Sequence, residues 1–211
     1  MSLTVSRGAL TTGAVGAFLF AACSLVLALM FGMPRGGLAT EGMLYAYSGL
    51  GLVSAILLSV GCFAASRPYG GNQITAGVFA ILAGVGAAGT LLVPMLLDFN
   101  SGRDGFIVAL ASSVGTAFLF GLFAAIANQN NSRGHQKLGV LTASSWLYYV
   151  SVLIMAIGLK FALAENLKVF VLTVLGSSLV MTAALICHGI GFLQMRNLHA
   201  ADAPEASAQT A

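Results

Sequence analysis

Six long apolar stretches, each separated from the next by a short polar turn, constrain this chain more than any other feature. The stretches cover residues 8–33, 43–65, 74–97, 105–127, 138–161 and 169–195. A helix needs about 20 predominantly apolar residues to cross the hydrocarbon core of a bilayer, and each stretch reaches that length. The pattern therefore predicts an all-α fold, a polytopic transmembrane helical bundle of about six spans with no soluble domain.

The composition excludes a water-soluble fold and a nucleic-acid-binding one. Hydrophobic residues make up 58% of the chain and charged residues 7%, whereas about a quarter of the residues in a soluble domain are charged. The nine lysines and arginines are scattered through short loops and form no patch that could follow a phosphate backbone. The expected surroundings are the lipid bilayer and, within it, other membrane proteins or further copies of this chain.

The short connections also define the domain organisation. Residues 1–196 are predicted to form one transmembrane domain, and residues 197–211, rich in alanine and acidic residues, a disordered polar tail. Ala164-Glu165-Asn166 interrupts the apolar course between the fifth and sixth stretches only briefly, which predicts a very tight helical hairpin there.

The basic residues of the loops bear on orientation. With six spans, the side that bears the N-terminus carries five basic residues, Arg7, Arg67, Arg133, Lys137 and Arg196. The other side carries four, Arg35, Arg103, Lys160 and Lys168, accompanied by four acidic residues. Because basic residues concentrate in cytoplasmic loops, this small excess favours both termini in the cytoplasm. The sequence does not indicate which membrane.

His188 is the only histidine inside an apolar stretch, and an ionisable residue there is a functional hypothesis by default. It is a candidate ligand for a cofactor such as haem, or a proton relay. However, haems in helical bundles are usually held by paired axial ligands, and no second intramembrane histidine is present. The sequence therefore favours a neutral histidine that is hydrogen-bonded between helices near the rim of the bundle, and no cofactor.

The aromatic residues after Lys137 have two interpretations. Trp146, Tyr148 and Tyr149 lie about two to three turns further along the fifth stretch. They form either an aromatic belt at the membrane surface, with packing inside the bundle, or a stacking site for a ring-bearing ligand. The first interpretation is favoured because no charged or chelating residue accompanies them in the sequence.

Hydroxyl side chains within the spans are candidates for a polar path across the membrane. They are Ser112, Ser113, Thr116, Ser177 and Ser178. No carboxylate lies deep in any span, which argues against a carrier coupled to protons or sodium through a buried acid. Such a path would therefore suit a neutral or weakly polar solute.

Small residues are the most informative feature of the helices. In lipid, helices associate through close packing, which glycine, alanine and serine allow. The glycines expected at helix contacts are Gly77, Gly84, Gly115, Gly121 and Gly176. These stripes predict tightly crossed helices, and packing within one bundle is favoured over a dimer contact.

No sequence motif indicates a metal site or catalysis. Cys23, Cys62 and Cys187 all lie in apolar stretches without a C-x-x-C pair, so neither a disulfide framework nor a zinc site is expected. The chain also lacks H-E-x-x-H, G-x-S-x-G and G-x-x-x-x-G-K-[ST] motifs, and no two carboxylates are placed for acid and base catalysis.

The leading functional hypothesis is a non-catalytic multi-pass membrane protein that serves as an assembly, accessory or organising component of a membrane structure. It follows from abundant small-residue packing and scarce intramembrane polar chemistry. The alternative is a small channel or carrier for a neutral or weakly polar solute. A cofactor-bearing intramembrane redox subunit is third and depends on His188 alone.

Overall fold

The structure is a computed structural model that describes residues 6–32, 38–96, 102–134, 138–163 and 166–201. Within those ranges the chain forms six α-helices and no β-strand. In chain order the helices are α1 (Arg7–Gly32), α2 (Leu38–Tyr69), α3 (Asn72–Leu96), α4 (Gly102–Gly134), α5 (Gly139–Leu163) and α6 (Leu167–Ala201). Each helix covers all of one apolar stretch or all but one residue of it, so the predicted all-α bundle is confirmed.

The helices have the length and composition of membrane spans. Among the residues that the structure describes, five helices, all except α4, are long and apolar enough to cross a membrane. The remaining helix, α4, is 33 residues long and contains the fourth apolar stretch of the sequence. The chain is therefore a multi-pass integral membrane protein.

The helix bounds differ from the predicted spans mainly at α2, α4 and α6, which continue past the apolar residues by about one to two turns. The reason is that a helix ends where its backbone hydrogen bonding ends, and polar residues of the headgroup region continue that bonding as well as apolar ones. The α6 helix extends through Ala201, past the predicted end of the transmembrane domain at residue 196. Residues 202–211 lie outside the described part of the chain.

Two of the connections are only two or three residues long. Gly70 and Gly71 alone separate α2 from α3, and Gly70 has a φ of 102°, a conformation that favours glycine. Only residues 164–166 separate α5 from α6, and of the three residues of the predicted hairpin, 164 and 165 lie outside the described part of the chain. There the Val169 N–H donates to Asn166 Oδ1 at 3.3 Å, so Asn166 caps the start of α6.

The six helices close into a ring in chain order, with α6 packed against α1. The contact between α4 and α5 is the least extensive of the six neighbour contacts among the described residues. Aromatic side chains from four helices fill part of the interior and make successive ring contacts. This aromatic core consists of Phe20, Phe120, Tyr148, His188 and Phe192. It joins α1 to α4, which are not neighbours in the ring.

Candidate functional site

His188 lies inside the bundle, where α6 meets α5. Its side chain is 0% exposed, and its Nδ1 atom is 3.1 Å from the hydroxyl oxygen of Tyr148, which is also fully buried. The Tyr148 ring meets the imidazole edge-on with centroids 5.9 Å apart, and Phe192, one turn further along α6, lies 4.7 Å from it. This side chain thus occupies an interhelical position of the kind that the sequence favoured.

The other imidazole nitrogen, Nε2, has no hydrogen-bond partner within the described part of the chain. Which nitrogen of His188 carries the proton is not fixed by the 3.1 Å contact, because the Tyr148 hydroxyl is able to donate or accept. Buried polar atoms without a partner are rare in proteins and mark sites worth testing for function. Tyr148 and His188 are therefore the first candidate pair.

A second polar layer lies one turn from this pair and joins three helices. The Asn128 amide of α4 donates to Ser144 Oγ of α5 at 3.2 Å. The Ser144 hydroxyl donates in turn to the Ala184 carbonyl of α6 at 2.9 Å. Beside them, the Ser145 hydroxyl donates to the Ala125 carbonyl of α4 at 2.8 Å. These bonds fasten α4, α5 and α6 together at the end of the bundle that carries the chain termini.

A group of serines occupies the middle of the bundle. Ser151 is at the midpoint of α5 and faces Ser177 of α6, with the two hydroxyl oxygens 3.0 Å apart. Each hydroxyl also lies within bonding distance of the other residue's carbonyl, at 3.0 and 2.9 Å. The Ser24 hydroxyl of α1 donates to the Ser178 carbonyl at 2.9 Å. The serines thus bond helix to helix.

The same serines border a cavity of about 40 Å³, measured as the room for the centres of water-sized spheres. That volume admits about three water molecules. Most of the side chains that line it are apolar: Leu27, Val114, Ala117, Phe118, Val152, Met155 and Met181, beside Ser24, Ser151, Ser177 and Ser178. The cavity lies between α1, α4, α5 and α6, at the ring's least extensive contact.

Two of the five residues predicted to line a solute path border this cavity. Ser177 and Ser178 line the cavity, whereas Thr116 is half-buried on α4 and does not line it. The side chains of Ser112 and Ser113 lie outside the described residues. Ser24 and Ser151 were not predicted. Their hydroxyls inside apolar stretches are visible in the sequence, but the sequence does not show that they face Ser177 and Ser178.

Three of the five glycines predicted at helix contacts lie close to a neighbouring helix, and two do not. Gly77 lies against Cys62 and Phe63, Gly84 against Ala55, and Gly121 against Met181. Gly176 meets its nearest neighbour, Ile154, only at ordinary van der Waals distance from a Cβ. Gly115 is exposed, and no described atom lies within 4 Å of the place where its Cβ would be.

The closest helix approach uses glycines that the sequence did not single out. A Cβ at Gly13 would overlap the backbone of Gly61, and one at Gly16 would overlap the backbone of Leu57 and Leu58. The α1 and α2 backbones are therefore in direct contact. The spacing of Gly13 and Gly16, one turn apart on α1, was the available signal, and it was hidden among many other small residues.

The three aromatic residues of α5 differ in burial. Trp146 is 61% exposed and Tyr149 half-buried, whereas Tyr148 is buried against His188.

The described ranges contain no group of three or more histidine, cysteine, aspartate or glutamate side chains that could hold a metal ion. Comparison of the chain with protein families, curated proteins and solved structures finds no match.

Proposed function

We propose that this protein is a non-catalytic organising component of a membrane structure, a rigid bundle against which other membrane proteins or further copies assemble. The observation that carries the proposal is that buried serine hydroxyl groups form hydrogen bonds between the helices. Ser24, Ser144, Ser145, Ser151 and Ser177 all bond to the backbone of a neighbouring helix. Polar side chains used this way hold helices together in lipid.

The outer surface suggests where a partner would sit. Half of the residues in the α1 and α2 spans are buried within the bundle, against 28% in the α5 and α6 spans. The most exposed large hydrophobic side chains of these last two helices are Trp146, Leu153, Leu159 and Leu172, at 61%, 61%, 58% and 67%. Because small residues and polar bonds already hold α5 to α6, this face is available for a second protein without loss of the bundle.

The test is native mass spectrometry of the protein extracted in mild detergent, with one variant on the proposed face. Leu153→Trp should reduce the retained partner or second copy about tenfold, because the indole prevents close helix approach at the centre of the contact. Val85→Trp, at a 54% exposed position of α3, is the matched control and should retain it. A wild-type protein that carries no stoichiometric partner, or equal losses in both variants, would refute the organising role.

The cavity favours a second candidate, a channel or carrier for a neutral or weakly polar solute. Ser151 is at the midpoint of α5, with Ser177 facing it, and carriers bind their substrates near the middle of the membrane. In a background without the three native cysteines, Ser177→Cys would then react with a water-soluble thiol reagent. Val85→Cys on the lipid-facing surface would not. Complete protection of Ser177→Cys in every condition would exclude an aqueous path at this point.

We also propose that both termini face the cytoplasm, on the excess of basic residues on that side of the membrane. A reporter that is active only in the cytoplasm, fused after Ala211, should be active. The same reporter fused after a truncation at residue 100, between α3 and α4, should be inactive. The opposite pair of results would reverse the orientation.

A further inference from the structure

A polar cleft with two arginines lies where α1 begins and α6 ends. It is lined by Arg7, Gly8 and Thr11 from α1 and by Arg196 and Asn197 from α6. Its volume is about 400 Å³, measured as the room for the centres of water-sized spheres. Neighbouring helices α1 and α6 run in opposite directions, so the first turn of one and the last turns of the other share one side of the membrane.

The two arginines of the cleft stand at the ends of apolar stretches, at the level expected for lipid headgroups. Arg7 is the first residue of α1, and the apolar course of α6 ends at Met195, immediately before Arg196. Both guanidinium groups therefore lie at the boundary of the apolar zone, where basic residues meet lipid phosphates.

Arg196 is held in place rather than extended freely into water. Its Nε and Nη2 atoms donate to Asn197 Oδ1 at 3.2 and 3.1 Å, and Nη1 donates to Thr11 Oγ1 at 3.5 Å. The Thr11 hydroxyl in turn donates to the Arg7 carbonyl at 3.0 Å. A guanidinium has five N–H donors, so two of those on Arg196 remain for a ligand.

The charges in the cleft specify the chemistry of that ligand. Two formal positive charges share the cleft, and the described residues that line it include no aspartate or glutamate. A planar guanidinium that its neighbours orient in advance binds a phosphate through two parallel hydrogen bonds. A phosphate in the cleft would also offset the repulsion between the two arginines.

We propose that this cleft binds the phosphate of an anionic lipid headgroup. The shared chemistry is that of any phosphate-bearing anion, and the position at the headgroup level selects the lipid as its source. The site would fix one lipid against the α1/α6 contact and thereby join the first helix to the last.

The first arm of the experiment uses native mass spectrometry of the full chain from micelles that contain equal amounts of phosphatidylglycerol and phosphatidylcholine. The wild type should retain phosphatidylglycerol preferentially. Arg196→Gln should lower that preference about fivefold, because the cleft loses one of its two positive charges and the two parallel hydrogen bonds to the phosphate. Lys168→Gln removes the same charge at an exposed position at the other end of α6 and should leave the preference unchanged.

The second arm separates the lipid from a soluble phosphate and controls for folding. Added phosphatidylglycerol should raise the temperature at which the detergent-solubilised protein aggregates, and millimolar inorganic phosphate should not. If Arg196→Gln does not give a monodisperse protein, Arg7→Gln replaces it, because Arg7 lines the same cleft and carries the second of its two positive charges. Equal stabilisation by inorganic phosphate, or a lipid preference that survives both substitutions, would overturn the proposal.

Discussion

The α1/α2 and α4/α5 contacts represent two ways to join helices in lipid. Between α1 and α2 the backbones touch, because Gly13, Gly16 and Gly61 place no side chain between them. Between α4 and α5 the contact is less extensive, and it combines polar bonds from Ser144 and Ser145 with a small apolar cavity. The comparison indicates that close backbone packing holds one side of the ring, whereas a few interhelical hydrogen bonds hold the other.

The largest expected effect on the free energy of unfolding comes from the close backbone contact between α1 and α2. Gly16→Ala should destabilise the bundle by about 3 kcal/mol, because the new methyl group overlaps the Leu57 and Leu58 backbone, which cannot rotate away. The measurement is the unfolding free energy in bicelles. Gly115→Ala is the matched control on an exposed surface and should change stability by less than about 0.5 kcal/mol. Equal effects of the two substitutions would contradict the backbone contact.

An intermediate effect is expected from the polar bonds. Asn128→Ala removes the donor to Ser144 and should cost about 1 kcal/mol, which is typical of an interhelical hydrogen bond in lipid. The loss is moderate because the Asn128 Oδ1 atom, which lacks a described partner, is removed with it. Asn130→Ala, two residues later at an exposed position, is the control and should be neutral. A cost as large as that of Gly16→Ala would mean that the two contacts are equally rigid.

The smallest effect should be a gain. Ala117→Val fills part of the 40 Å³ cavity beside Ser177 and should stabilise the bundle by about 0.5–1 kcal/mol. Ala143→Val, at an exposed position of α5, serves as the control and should not stabilise it. If Ala117→Val destabilises the protein, the cavity is occupied, and the transport hypothesis gains over the organising one.

The polar residues show how far sequence reasoning reached at the candidate site. His188 was singled out because it is the one histidine within an apolar stretch, but its partner Tyr148, 40 positions earlier, was assigned with two neighbours to a belt or to packing. The sequence indicates Ser177 and Ser178 as candidates for a polar solute path, and it does not indicate Ser151 and Ser24, which lie with them around the cavity. In each case composition identified one member of a pair, since a polar residue in lipid is conspicuous, and only the packing identified the other.

The sequence by itself determined the number and approximate positions of the described helices and the integral membrane class of the protein. That information is local, because a run of about 20 apolar residues has few alternatives to a spanning helix. The tertiary structure alone decided which faces meet: Gly13 against Gly61, His188 against Tyr148, and Arg196 against Thr11, 185 positions away. These helices are apolar on all sides, so no hydrophobic stripe marks the inner face, and close packing selects it instead.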